Sequence, residues 1–202
     1  MAISPQLALG TTLHNIPANV PYLKSERPRL AKKPHVLRVE LAWAGNPEHW
    51  DDLRRSIPLD QFAPLSAIPG IEFYSLQVGP APRPANDSSA PLPLIDLTSE
   101  LQDFADTATL IESLDLVITV DTAAAHLAGP IGKPVWVLLA AMPDWRWMLD
   151  RHDSPWYPTM NLFRQRRTGD WADVMRRVAD SLAEFSGVSG QRSIGRGGEP
   201  HL

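Results

Sequence analysis

Two short apolar runs, Asp115–Val120 (DLVITV) and Pro134–Leu139 (PVWVLL), are joined by a segment with room for one helix. Strands this continuously apolar are buried on both faces, which is the pattern of a parallel sheet rather than of an antiparallel one with a wet side. A strand, a helix and a second such strand predict a βαβ unit.

The same alternation runs through the chain. His35–Gly45 predicts a first strand ended by Gly45, and Leu59–Ala67 a short helix introduced by Ser56 and Pro58 and stopped by Pro69–Gly70. Ile71–Gln77 predicts a second strand, Gly79–Pro93 a proline-rich loop and Leu94–Leu97 a short third strand. Asp103–Ser113 sets Phe104, Ala108 and Ile111 at helical spacing, and a further helix starts at about Thr122. Met160–Arg164 predicts the last strand, and Asp170–Phe185 a helix with Val174, Val178 and Leu182 on one face. The expected class is therefore α/β, a Rossmann-like parallel sheet with helices on both faces. No internal repeat of solenoid period is present.

The flanks read differently. Residues 1–34 carry Pro17, Pro21, Pro28 and Pro34 among Lys24, Arg27, Arg29, Lys32 and Lys33, a linker composition with a scrap of strand at Leu7–Leu9. From Gly187 to Leu202 the glycine-rich chain has no apolar periodicity, and a disordered tail is expected. The folded domain is expected over 35–186.

Composition narrows the function classes. The 19 basic and 23 acidic residues give a formal charge of −4, without the basic surplus of a general nucleic-acid binder. The absence of cysteine excludes disulfides, zinc–thiolate sites and thiol catalysis. No apolar run approaches the ~20 residues of a membrane span, and Met1–Gly10 lacks a signal-peptide pattern. A cytoplasmic protein is the expectation.

In a parallel α/β sheet, ligands bind beyond the carboxyl ends of the strands. That directs attention to the loops after Ala44, Gln77, Val120 and Leu139. At the third of these, DLVITV runs into Asp121–Thr122, either of which can cap the next helix. The small residues Ala123–Ala125 leave the first-turn N–H groups open, and these donors with the helix dipole form an anion site. His126, one turn after Thr122, can face the same ligand and donate to a phosphate or ribose oxygen. A capped helix with a satisfied histidine is the plainer alternative. Pro130 is expected to shorten or kink this helix.

Gly45 permits close backbone approach to a ligand, and Asn46 either binds it or serves a turn. Gln77 is a donor contact or an ordinary strand-end amide. Trp145 and Arg146 stack on a base or pack the domain, while Trp147 is expected in the core. The segment Gly129–Pro134 (GPIGKP) lacks the spacing and the Ser/Thr of a P-loop and precedes a strand, so it is rejected as one. No G-x-G-x-x-G follows the first strand, so a dinucleotide cofactor has little support.

The wider pattern D-T-x-x-x-H-L-A-x-x-x-G-K-P-V-W-V-L-L from Asp121 resembles the heptosyltransferase-like glycosyltransferases of family nine, which have the GT-B fold. It is most similar to those in bacterial tetratricopeptide-repeat proteins. The resemblance extends over Leu37–Leu182 through V-x-L-A-W-A-G-N, R-S-I-P-L, F-Y-S-L-Q-V-G, D-F-A-D-T-A, D-W-R-W-M-L-D-R and S-P-W-Y-P-T-M. It implies the carboxyl-terminal, donor-binding half of such an enzyme. Asp121, Thr122, Ala123 and His126 would line the donor diphosphate and sugar, with Gly45, Asn46 and Gln77 beside them. Arg55, with Arg54 as competitor, would stabilise the leaving diphosphate. Arg55 and His126 are the residues expected at the chemistry. The implied ligand is a nucleotide-sugar substrate, with no cofactor and no metal, and the acceptor, glycan or protein, is open.

No carboxylate stands out as a general base, which the resemblance places on an amino-terminal acceptor domain. Residues 6–23 resemble the end of that domain. The expectation is a detached half that binds donor weakly, associates with a missing amino-terminal half and transfers little sugar alone. The alternative is a non-catalytic nucleotide-binding or interaction module of the same fold.

Overall fold

The computed structural model describes residues 10–25, 30–31, 33–79 and 90–187. The strand fragment expected at Leu7–Leu9, most of the basic linker residues, the middle of the proline-rich loop and the tail beyond Gly187 lie outside the described residues.

Six parallel strands form one sheet: β1 (Leu37–Ala42), β2 (Ile71–Ser75), β3 (Leu94–Asp96), β4 (Leu116–Val120), β5 (Val135–Leu139) and β6 (Met160–Arg164), in the order β3-β2-β1-β4-β5-β6. The helices are α1 (Asp52–Arg55), α2 (Phe104–Glu112), α3 (Ala123–Ile131) and α4 (Trp171–Phe185), with 3₁₀ turns at Leu59–Ala67, Thr98–Glu100 and Trp145–Trp147. β4 and β5 are buried at every position, as their continuous apolar runs require.

Each face of the sheet has its own core. Val39, Leu41, Trp43, Ile118 and Leu138 pack against the 3₁₀ turn and the buried stripe Val174, Met175, Val178 and Leu182 of α4. These four positions follow the helical spacing that keeps one face on the sheet. Truncating Leu182 to Ala removes buried contacts worth about 2–5 kcal/mol. On the other face Val117, Val135, Val137 and Leu139 pack against Leu110 and Ile111 of α2 and Ala125 and Ala128 of α3.

Several element boundaries have local causes. The 59–67 segment is helical but 3₁₀, with Pro64 inside it, which has no N–H to give to a helical ladder. β1 starts only at Leu37, since His35 turns at a φ of 61°. It stops at Ala42 because the next two amides, Trp43 and Ala44, donate to the side-chain Oε1 of Gln77 at 3.1 and 2.9 Å. Helix α3 is short, ending one residue after Pro130 at Gly132, whose φ of 81° suits a left-handed cap. The Pro130 carbonyl accepts from the Tyr22 and Leu23 amides at 2.9 and 3.1 Å, so the amino-terminal segment closes that helix end.

This strand order places the site. From β1 the chain builds outward through β2 and β3, then returns to β4 on the other side of β1. The loops leaving β1 and β4 therefore part in opposite directions, and a crevice opens between them. Among the described residues, no helix is long and apolar enough to cross a membrane.

Candidate functional site

The exit of β1 is built around a glycine. The Gly45 amide donates to Ser56 Oγ at 3.0 Å, drawing the loop over α1. A Cβ at Gly45 would lie 2.3 Å from Arg55 Nη2 and 2.5 Å from Asp52 Oδ1, so only glycine admits both groups. Arg55 Nε pairs with Asp52 Oδ1 at 3.1 Å, both side chains being largely buried. From that anchor Arg55 Nη1 donates to the Asp121 carbonyl at 3.0 Å. The guanidinium thus bridges the loops after β1 and β4, across the crevice. Arg54, by contrast, is exposed and pairs loosely with Asp51 at 3.5 Å.

The two amides flagged beside it are engaged locally. Gln77 spans Trp43 and Ala44, its Nε2 donating to the Ala44 carbonyl at 3.0 Å. Asn46 Oδ1 accepts the Glu48 amide at 3.0 Å in a turn, with the Asn46 side chain exposed. Both also line the cavity described below.

At the β4 exit, Thr122 occupies the N-cap position of α3 without capping it. Its hydroxyl lies 2.9 Å from Thr119 Oγ1, whose single proton goes to the Val120 carbonyl. Thr122 is therefore the donor of that pair. The amides of Ala123 and Ala124 have no partner among the described residues. Helices α2 and α4 differ, with Asp103 and Asp170 accepting first-turn amides. Neither of the expected caps, Asp121 or Thr122, spends its side chain on α3.

His126 is held on three sides. Its ring stacks on Trp147 with centroids 5.3 Å apart, Nε2 lies 3.8 Å from Asp121 Oδ1, and Nδ1 lies 3.3 Å from the Tyr157 hydroxyl. Burial raises the Asp121 carboxyl, but the hydrogen-bonding influence of His126 and Trp147 and the charges of His126 and Arg146 outweigh it. Asp121 ends below the ordinary aspartate value, although the buried Trp147 N–H stops short of a full hydrogen bond. Trp147 lies in the core as expected, while Trp145 is exposed with the Arg146 guanidinium 5.8 Å above its ring.

Two cavities meet at Arg55, Thr122 and Ala123. The first, about 570 Å³, has a largely apolar wall of Leu76, Val78, Leu101, Phe104 and Leu127. The second, about 470 Å³, is lined by charged and polar groups that include Arg54, Asp121, His126, Asp144 and Arg146. The described residues contain no group of three or more His, Cys, Asp or Glu side chains able to hold a metal ion.

Solved structures share this architecture. The Escherichia coli ADP-heptose lipopolysaccharide heptosyltransferase II aligns with a TM-score of 0.54 at 11% identity, over 78% of this chain and 49% of that one. A family nine glycosyl transferase from Veillonella parvula aligns at 0.52 with 12% identity, over 79% and 48%. The chain has the heptosyltransferase-like fold. It spans about half the length of those glycosyltransferases. In sequence it is 30% identical over 177 residues to Protein FlbA of Caulobacter vibrioides, covering 84% of this chain and 28% of FlbA. No family model matches the chain.

Within this heptosyltransferase-like fold, Gly45, Arg55, Asp121, Thr122, Ala123 and His126 come together at one crevice. The sequence did not single out Asp52 or Thr119, and it presented Gly129 only in the segment rejected as a P-loop and Tyr157 only within the S-P-W-Y-P-T-M motif. The Asp52-x-x-Arg55 spacing was the available signal for the first, since residues three apart on one helical turn can pair. Thr119 and Tyr157 left none, because their roles arise from strand position and loop return.

Proposed function

We propose that this chain binds the donor in a nucleotide-sugar-dependent glycosyl transfer, with the diphosphate at the start of α3. The observation that carries the reading is the pairing of the open Ala123 and Ala124 amides with the Arg55 guanidinium at the junction of two cavities. Unpartnered helix N–H groups and a fixed positive charge together suit an anion with several oxygens. The apolar cavity suits a base and ribose, with Phe104 at its rim. The polar cavity suits the sugar, beside His126, Asp121 and Arg146.

In transfer, Arg55 would face the negative charge that develops on the leaving diphosphate, and His126 would donate to a phosphate or sugar oxygen. Gly45 and Asn46 border the same space, and Gln77 acts by holding its wall. Each cavity-lining carboxylate already has an engagement: Asp103 with α2 amides, Asp51 with Arg54, Asp121 with His126 and Asp144 with Arg146. That favours donor binding without turnover by this segment alone, the acceptor and base coming from a second GT-B half. The same observation supports the second reading, a nucleotide-binding module that performs no transfer.

Calorimetry with ADP- and UDP-sugars tests the donor site. Binding is expected, weakened about tenfold, or ~1.4 kcal/mol, by either Thr122→Ala or His126→Ala. A folded chain that binds neither nucleotide at millimolar concentration ends the proposal. Unchanged affinity in both variants would reduce the turn to a helix start.

A further inference from the structure

The α3 residue three positions after His126 is Gly129, and its missing side chain is filled by a ring from a distant loop. A Cβ at Gly129 would stand 2.6 Å from both Cγ and Cδ1 of Tyr157 and 2.8 Å from Met160 Cε. Positions three apart share a helix face. The glycine therefore makes a seat that brings the Tyr157 hydroxyl to His126 Nδ1, at 3.3 Å. The two rings are tilted by 59° with centroids 5.9 Å apart, so the contact is made by the hydroxyl rather than by stacking.

The surroundings of the opposite ring nitrogen favour one direction for that hydrogen bond. His126 Nε2 faces Asp121 Oδ1 at 3.8 Å. That separation is an electrostatic contact and not a hydrogen bond, and the negative carboxylate favours the proton on the nitrogen that faces it. In the neutral imidazole Nδ1 is then the acceptor, and the phenol donates to it. We infer that Tyr157 is a positioning residue for His126, seated on Gly129, that holds the imidazole in its Nε2–H form with that N–H turned toward Asp121 and the polar cavity.

Other groups around the ring agree with this arrangement. Trp147 stacks on it and leaves both nitrogens free at the edge. Arg146 acts on both Asp121 and Tyr157, favouring the ionised carboxylate. Burial, followed by the charge and hydrogen bonding of the Tyr22 phenol, raises Tyr157 above the ordinary tyrosine value, so the hydroxyl stays protonated with Tyr22 as a second partner beside His126. Tyr22 belongs to the segment that closes the far end of α3. For binding, the inference rests on the donor-site reading above, since an Nε2–H donor in the polar cavity is what a phosphate or sugar oxygen would accept.

Histidine ring ¹⁵N–¹H correlation spectra of the ligand-free full chain test the assignment, at about pH 8.5, where imidazoles are ordinarily neutral. Wild type should show His126 predominantly as Nε2–H. Tyr157→Phe keeps the ring and its seat but removes the donor, and should give a mixture of both tautomers. Gly129→Ala displaces the ring and should do the same. UDP and ADP affinities should fall severalfold in Tyr157→Phe. A dominant Nδ1–H form in wild type, or tautomer populations unchanged by Tyr157→Phe, overturns the inference. Should the spectra shift as expected while wild type binds neither UDP nor ADP, the positioning role stands and the donor-site reading falls.

Discussion

Arg55 Nη1 donates to the Asp121 carbonyl at 3.0 Å, joining the loop after β1 to the loop after β4 where the strand order reverses. A charged side chain thereby spans the crevice in which this fold class binds its ligands. The bond also fixes the guanidinium before any ligand arrives, lowering the ordering cost of binding.

Arg55→Ala should cost both stability and affinity. It leaves the largely buried Asp52 carboxylate without its partner, a loss of about 1–3 kcal/mol. Urea denaturation gives the first effect and calorimetry with UDP and ADP the second. Arg55→Lys keeps the charge but not the planar fork, so it should recover only part of either.

Gly45→Ala should reproduce much of the Arg55→Ala effect from the other side of the contact. The new Cβ occupies the space of Arg55 Nη2 and Asp52 Oδ1, and the flexible guanidinium must leave its pair to accommodate it. The two substitutions should therefore be clearly less than additive in denaturation free energy, by about 0.5–3 kcal/mol as for residues in contact. Full additivity would mean that the glycine serves only the turn.

Glu40, in the middle of β1, is wholly buried, and neither carboxyl oxygen has a hydrogen-bond partner among the described residues. Burial raises its pKa well above the ordinary glutamate value. The folded state then holds a proton that the unfolded chain releases. Its contribution is complete below the unfolded value and is lost as pH rises toward the folded value. Glu40→Gln should gain stability relative to wild type by up to ~1.4 kcal/mol per pH unit across that window. Denaturation at pH 5, 6, 7 and 8, read as stability differences, checks it; parallel curves would contradict it.

Asp121 behaves in the opposite sense. Its pKa is lowered in the fold, so its contribution is present above the unfolded aspartate value and disappears as pH falls through the folded one. Asp121→Asn should flatten the acid limb of the stability profile, measured by urea titrations between pH 5 and pH 2. It should also release the His126 ring from its Nε2–H form, visible in the same ¹⁵N spectra that report on Tyr157.

The strand-helix alternation was legible because burial on both faces leaves its mark on every residue of a strand. β6 matches its expected bounds, and α2 and α4 lie within theirs. Gln77 and Asn46 were less legible, since a side-chain amide serves a backbone or a ligand with the same atoms. For Gln77, the nearby Trp43 and Ala44 amides took it first.

By itself, then, the order of residues determined the parallel sheet, the start of α3 after β4 and the small residues that leave its first turn open. These follow from local rules, apolar runs for buried strands and open amides at a helix start, that need no distant partner. What occupies the space around that turn was decided by tertiary structure alone. Arg55, anchored by Asp52, meets the Asp121 carbonyl across the crevice, and Tyr157 reaches His126 from a loop beyond β5. Those contacts depend on how the sheet order brings remote loops together, and residue spacing along the chain carries no record of that distance.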